Sequence, residues 1–400
     1  MAGPDTNPPV AKQVPHTWKR PTGEVDDPWA WLRDRDDPDT IAYLEAENAH
    51  TDAWFAQRAD TVEELFQEIR SRVQETDVSA PVPHHGWYYS ARTVEGQAYP
   101  IHCRGRSAET ADAEVVLDQN AEAAGHEYFD LGALEINPDH TAAAWSGDTR
   151  GDEHYTLRFR DLATGTDLDD VLHDTTWAGV AWSRDGQYVF YVTADEQERP
   201  FEVWRHRVGT SQDDDVKLLT ELDERFFVGL GATRSDDWII IHTASKLSAE
   251  AWLVPADDPT ADPVLVMPRR DDVEYSIDHW GDRFVVLTNL DATDFRVMTA
   301  PLDRPGEWSE LIPHEPGRRI TSIEPFATHL AVHEWCDAQP RIRIVFRDGS
   351  ERLVSLAAAH GEEPHDIEFG ANAEWDTTQL RVSYQSFTTP LTVHDVDVHT

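Results

Sequence analysis

Residues 184–195 read RDGQYVFYVTAD, a turn that runs straight into an apolar strand. Asp185-Gly186 supplies the tight reversal, and the aromatic and β-branched run from Tyr188 suits a pleated, buried strand. Six further segments share this form. They are HHGWYYSAR from His84, PDHTAAAWSGD from Pro138, SDDWIIIHTAS from Ser235, GDRFVVLTNLD from Gly281, THLAVHEWCD from Thr328 and DTTQLRVSYQS from Asp376. Their strands start at Trp87, Ala142, Tyr188, Trp238, Phe284, Leu330 and Leu380, so the period is about 46–55 residues, close to the ~40–50 of a propeller blade.

Each run has a partner strand shortly downstream: YPIHCR at Tyr99, YTLRFRDL at Tyr155, FEVWRHR at Phe201, EAWLVPAD at Glu250, DFRVMTAPLD at Asp294, RIRIVFRDG at Arg341 and PLTVHDVDV at Pro390. Apolar and polar residues alternate along Tyr155–Phe159 and Arg341–Phe346, as in strands with one buried face. A β-sandwich would account for many strands but not for their even spacing. The pattern predicts a mainly β protein, a seven-bladed β-propeller over residues 79–400.

Residues 1–78 have a different pattern. Asp37-Pro38 opens one predicted helix, with Ile41, Leu44, Ala49 and Phe55 near helical spacing. Val62, Leu65, Phe66, Ile69 and Val73 form the apolar stripe of a second. Thr61 with Glu64 fits a capping box at its start. This short helical arm has an apolar face that needs a partner, and such a stripe is expected to pack in a core.

Composition narrows the function. The 400 residues hold 76 acidic and 34 basic side chains, a formal net charge of −42. Such a field repels phosphate backbones and anionic bilayers, so neither nucleic acid nor membrane is an expected partner. Only Lys12, Lys19, Lys217 and Lys246 are lysines, which suits either a salt-rich cytoplasm or a GC-rich coding sequence. The opening MAGPDTNPPVAKQVPHTWKR has no apolar signal-peptide core. Cys103 and Cys336 make neither a disulfide framework nor a metal pattern. A cytoplasmic protein without metal or cofactor is the expectation.

Catalytic motifs are missing from the 400 residues. The nearest approach to G-x-S-x-G is Gly209-Thr-Ser211-Gln-Asp213, which lacks the last glycine. His126-Glu127 and His333-Glu334 are not continued to HExxH, and Gly229-Leu-Gly231 lacks the third glycine of a dinucleotide loop. Two charged constellations remain, the hairpin tip Thr149–His154 and the strand entry Asp223–Gly229.

Several stretches together carry a resemblance. Asp27-Pro-Trp-Ala-Trp31-Leu32-Arg-Asp34, Tyr43-Leu-Glu-Ala-Glu47-Asn48, Tyr88-Tyr89, Glu95-Gly96 and Tyr99-Pro100-Ile101 belong to it. So do His126-Glu-Tyr-Phe129, Ser146-Gly-Asp-Thr149, Gly151-Asp152-Glu153, Tyr155–Leu162 and Val203–Arg207. Gly209-Thr210, Asp223–Gly229, Val273-Glu-Tyr-Ser276 and Asp376-Thr-Thr378 complete the set. These resemble the prolyl oligopeptidase family of serine peptidases, in particular the oligopeptidase B branch, which cleaves short peptides after Arg or Lys.

The resemblance implies an N-terminal arm that packs on a C-terminal α/β-hydrolase domain, with a seven-bladed propeller gating access. This sequence ends at Val398-His-Thr400, where the seventh blade ends, so the Ser-Asp-His triad is expected to lie outside it and the catalytic residues here are none. By position, the residues expected to line the substrate cavity are Asp195, Glu224, Phe227 and Lys246. Asp195 and Glu224 would attract a cationic peptide, Phe227 would pack on a substrate side chain, and Lys246 fits poorly with a basic substrate. The expected partners are short basic peptides, held weakly by the propeller face, and a hydrolase domain in cis or in trans. The competing readings are a non-catalytic propeller that binds peptides or proteins, and the gating half of a split peptidase.

Overall fold

The computed structural model describes residues 7–361 and 364–400. The chain divides into two compact units, the first ending at Glu75 and the second running from Thr76 to Thr400.

In the first unit a two-stranded hairpin, Thr17–Arg20 with Gly23–Asp26, precedes helices α1 (Pro38–Ala56) and α2 (Ala59–Arg70). Helix α1 starts where the sequence predicts. The Asp37 carboxylate accepts from the Asp39 N–H at 2.8 Å, and Pro38 takes a position that has no N–H to satisfy. Helix α2 departs from expectation. It begins at Ala59 behind Arg58 with no side-chain cap, so Thr61 lies inside the helix and no capping box forms. Leu65, Phe66 and Ile69 on its stripe are exposed rather than packed in a core.

Among its described residues the second unit holds six antiparallel sheets. The first sets Asp77–Val78 and Val82–His84 against Trp87–Thr93, followed by Ile101–Gly105 and Glu114–Asp118. Residues 76–78 therefore belong with the sheets and not with the arm. The second is a continuous seven-stranded sheet from Asp130–Ile136 to Val216–Thr220. Two four-stranded sheets follow, Phe227–Ala232 to Val264–Met267 and Tyr275–Trp280 to Ser309–Ile312. The fifth sheet, also four-stranded, runs from Arg318–Pro325 to Glu351–Leu353, and the last has the three strands His365–Phe369, Gln379–Ser386 and Thr392–Asp397.

The arrangement is that of a propeller, but five sheets, not seven, have the size of a blade. The reason is one 17-residue strand, Thr166–Trp182, which pairs along one part with Tyr155–Asp161 and along the other with Tyr188–Ala194. Gly179 on this strand has φ +116°, and a Cβ there would lie 2.0 Å from the Leu230 carbonyl oxygen. Only glycine tolerates that close approach.

The core lies between successive sheets. Leu253 and Ala251 meet Phe284 and Val286, while Trp280 and Val285 meet Leu330 and Val332. Phe326 and Ile344 meet Leu380 and Val382. The last sheet returns to the first, where the Arg381 guanidinium donates to the Pro81 carbonyl at 2.7 Å and the His85 N–H donates to Glu374 at 2.8 Å.

Candidate functional site

At one end of the third sheet three connections converge on an open cavity of ≈ 840 Å³. The strand Phe227–Ala232 enters there, residues 244–248 turn between Trp238–Ala244 and Ala249–Pro255, and Asp271-Asp272 lie on the link to the next sheet. Glu224, Phe227 and Lys246 all line it, beside Leu247, Asp271 and Asp272. Phe227 and Leu247 are exposed, so the cavity offers apolar surface rimmed by charge.

The charge balance is acidic. Arg225 lines the cavity, but its guanidinium is held by Asp223 at 2.7 Å. That pairing holds the Asp223 carboxyl down at about 2, chiefly through the Arg225 side chain. Glu224, Asp271 and Asp272 then face Lys246 and the Asp223-paired Arg225, whose charge Asp271 also feels. Single exposed charges contribute little by themselves, but several of one sign on one wall favour a cationic ligand.

Asp195 lies elsewhere. Its carboxylate accepts from the Gln197 N–H at 3.0 Å, the Arg199 N–H at 3.1 Å and the Arg199 Nε at 2.9 Å. Burial opposes its charge, but these bonds outweigh burial and hold its carboxyl below the usual range. Arg199 in turn donates to the Phe226 carbonyl at 2.7 Å and the Glu221 carbonyl at 3.2 Å. Asp195 therefore acts through Arg199, fixing the backbone that presents Phe227.

A second arginine, invisible as a site residue in the sequence, supports the same wall. Arg269 Nε donates to Glu250 at 2.9 Å, its Nη2 also bonds Glu221, and its guanidinium lies 3.9 Å from the Phe226 ring centroid. Burial works against its charge, yet the two carboxylates raise its pKa. Asp271 and Asp272 were also missed; the charge run Arg269-Arg270-Asp271-Asp272 was the available signal.

At the hairpin tip Thr149–His154, Asp148 accepts from the N–H groups of Arg150, Gly151 and Glu153. Its acidic character is turn chemistry.

Sheets packed face to face in chain order, with loops gathered at their ends, define the propeller class of protein, a scaffold that carries many functions. The family model described as the N-terminal β-propeller domain of prolyl oligopeptidase matches residues 8–400, and the chain belongs to that family.

Dipeptidyl aminopeptidase BI of Pseudoxanthomonas mexicana is 36% identical over 422 residues, which span 100% of this chain and 57% of that protein. Protease 2 of Moraxella lacunata is 28% identical, over 98% of this chain and 57% of its own length. Among solved structures, oligopeptidase B from Leishmania major superposes with a TM-score of 0.89 at 28% identity. It covers 99% of this chain and 59% of its own. The chain thus spans a little over half the length of the relatives it matches. No helix among the described residues is long and apolar enough to cross a membrane.

Proposed function

We propose that this chain is the arm and propeller portion of an oligopeptidase B-like serine peptidase, in which the propeller admits short peptides containing Arg or Lys. The observation that carries the reading is the acidic cavity beside exposed Phe227, in a chain matched by the family's propeller model over residues 8–400. Acyl transfer needs a nucleophile, a base and oxyanion donors together, and these 400 residues contain no nucleophile elbow. The chemistry is assigned to an α/β-hydrolase domain acting in cis or in trans, and the 400 residues alone are inactive. The relative named a dipeptidyl aminopeptidase favours a second reading, release of dipeptides from an N-terminus, with the propeller in the same role.

In this reading the ring has seven blades. The seven-stranded sheet counts as two that share the strand Thr166–Trp182. Support comes from the register break between Thr175 and Val180, and from the apolar cluster that sets Leu157 and Phe159 against Val180, Trp182 and Tyr191. Residues 7–75 are the arm, whose exposed Leu65, Phe66 and Ile69 would be covered by the hydrolase domain.

Glu224, Asp271 and Asp272 attract the cationic side chain, Phe227 packs on the peptide, and Lys246 opposes it. Fluorescence anisotropy with a labelled short Arg peptide tests this assignment. Each exposed charge is worth ~0.2–1 kcal/mol, so E224Q/D271N/D272N should bind roughly tenfold more weakly, and K246Q more tightly. Equal affinity for all three proteins would remove the cavity from the account.

A further inference from the structure

The turn Thr233–Trp238, between two strands of the third sheet, gathers contacts from sheets far away in the chain. Arg234 Nε donates to the Pro325 carbonyl at 2.9 Å, and its Nη1 stands 3.6 Å from Glu324. Ser235 Oγ meets His279 Nδ1 at 2.7 Å. Arg184 pairs with Asp237 and donates to the Asp236 carbonyl at 3.2 Å. The turn is thus fixed from several sides before any ligand arrives.

Opposite its tip stands the turn of the first sheet, His84-His85-Gly86. His84 Nε2 is 3.9 Å from Asp236 Oδ2, and ligand atoms of His84, His85 and Asp236 all lie within 4.8 Å of one another. Two imidazoles and a carboxylate are a donor set that suits divalent zinc and its neighbours. Bond lengths of ~2.0–2.2 Å around a tetrahedral ion place ligand atoms roughly 3.5 Å apart, so modest rotamer adjustments close the site.

Two further groups complete the surroundings. Glu374, from the last sheet's end, accepts the His85 N–H at 2.8 Å, and its other oxygen lies 4.0 Å from His85 Nε2. That carboxylate both orients His85 and stands near enough to join it as a ligand or outer-shell partner. His140, 6% exposed, packs its ring 5.1 Å from His84 and 5.9 Å from His85. Its Nδ1 is taken by the Tyr89 hydroxyl at 2.6 Å, while its buried Nε2 has no hydrogen-bond partner among the described residues.

We propose that His84, His85 and Asp236 form a site for one divalent transition-metal ion of the zinc type, which ties the first sheet to the third through these two turns. The bound ion would lock these turns together, with Glu374 bringing the last sheet into the same link. The proposal is independent of the peptide cavity, none of whose lining residues it uses.

The test is a calorimetric titration of the chelator-stripped chain with Zn²⁺ alone, with thermal unfolding followed in parallel. Wild type is expected to bind one ion and to gain thermal stability as free metal exceeds Kd. Outer-shell losses alone weaken metal sites ~10–100-fold, so H84Q, H85N and D236N, each lacking a ligand, should weaken binding on the order of a hundredfold. Asn suits position 85 because His85 has φ 47°, in the left-handed region that Asn tolerates. H126A, which removes an exposed histidine elsewhere, should bind like wild type. Matching unfolding curves without metal show that the variants fold. No saturable one-to-one binding, or equal affinity of D236N and H85N with wild type, would overturn the proposal.

Discussion

Replacing Arg269 with Met strands two carboxylates beside the cavity lined by Phe226 and Phe227. The Glu221 side chain is 6% exposed and that of Glu250 11%, and Arg269 is bonded to both. Removing one partner of a buried ion pair costs about 3–5 kcal/mol, mostly from the charge left without compensation. The sheet unit, Thr76–Thr400, has 325 residues. At about 2.1 cal/mol/K per residue its unfolding entropy is on the order of 0.7 kcal/mol/K. R269M should therefore lower Tm by about 4–7 °C, read by circular dichroism. Because Arg269 also lies against Phe226, binding of the Arg peptide should weaken as well. Neutralising the stranded acids in R269M/E221Q/E250Q should recover most of the loss, since the cost lies in the charges and not in the shape. A loss below about 1 kcal/mol in R269M, or no recovery in the triple variant, would refute the reasoning.

Three further outcomes follow from the structure. Burial raises the Asp278 carboxyl to about 7, against hydrogen bonds from the His279 and Arg234 N–H groups. The folded state therefore holds a proton that the unfolded chain releases near 4, so this contribution is lost as pH rises from about 4 to 7; Tm measured against pH should fall more for wild type than for D278N across that window. Gly179→Ala should cost about 3 kcal/mol or more, because the strand Thr166–Trp182 must move away from Leu230; urea unfolding within 1 kcal/mol of wild type would contradict this. Limited proteolysis should remove the arm before it cuts the sheets, since Leu65, Phe66 and Ile69 are uncovered and short uncovered helices are marginal in water; equal resistance of both units would show that the arm has found a covering surface.

The repeat was legible because repeating strands such as Tyr188–Ala194 and His329–Cys336 are buried on both faces and so read as apolar runs, while a partner such as Tyr155–Asp161 buries one face and alternates. All seven of these pairs are hydrogen-bonded in the structure, from Tyr89 with Arg104 to Val382 with His394. The outermost strands, such as Val216–Thr220 and Glu351–Leu353, were not legible. They are short, and few of their side chains are buried. The fusion of two repeats into one sheet depends on how residues 166–182 run on, and no residue type signals that.

The arm misled in a different way. The α2 stripe is a correct record of an apolar face, but periodicity does not say what covers it. At the cavity, Glu224, Phe227 and Lys246 meet because the entry to a sheet's first strand and its second hairpin turn lie at the same end. Asp195 was grouped with them by position, but its carboxylate pairs with Arg199 four residues on and is largely covered. The His84–Asp236 approach joins residues about 150 positions apart and leaves no local trace.

The measurement that bears most directly on the whole account compares two proteins with a fluorophosphonate serine probe and fluorogenic peptides ending in Arg or Lys. One is this 400-residue chain alone; the other is the same chain joined to the part of Leishmania major oligopeptidase B that it does not cover. The account predicts no labelling and no cleavage by the chain alone. It predicts labelling of the joined protein at its serine, with cleavage after Arg or Lys. Stoichiometric labelling of the chain alone, or a folded and labelled joined protein that leaves those peptides intact, would contradict it.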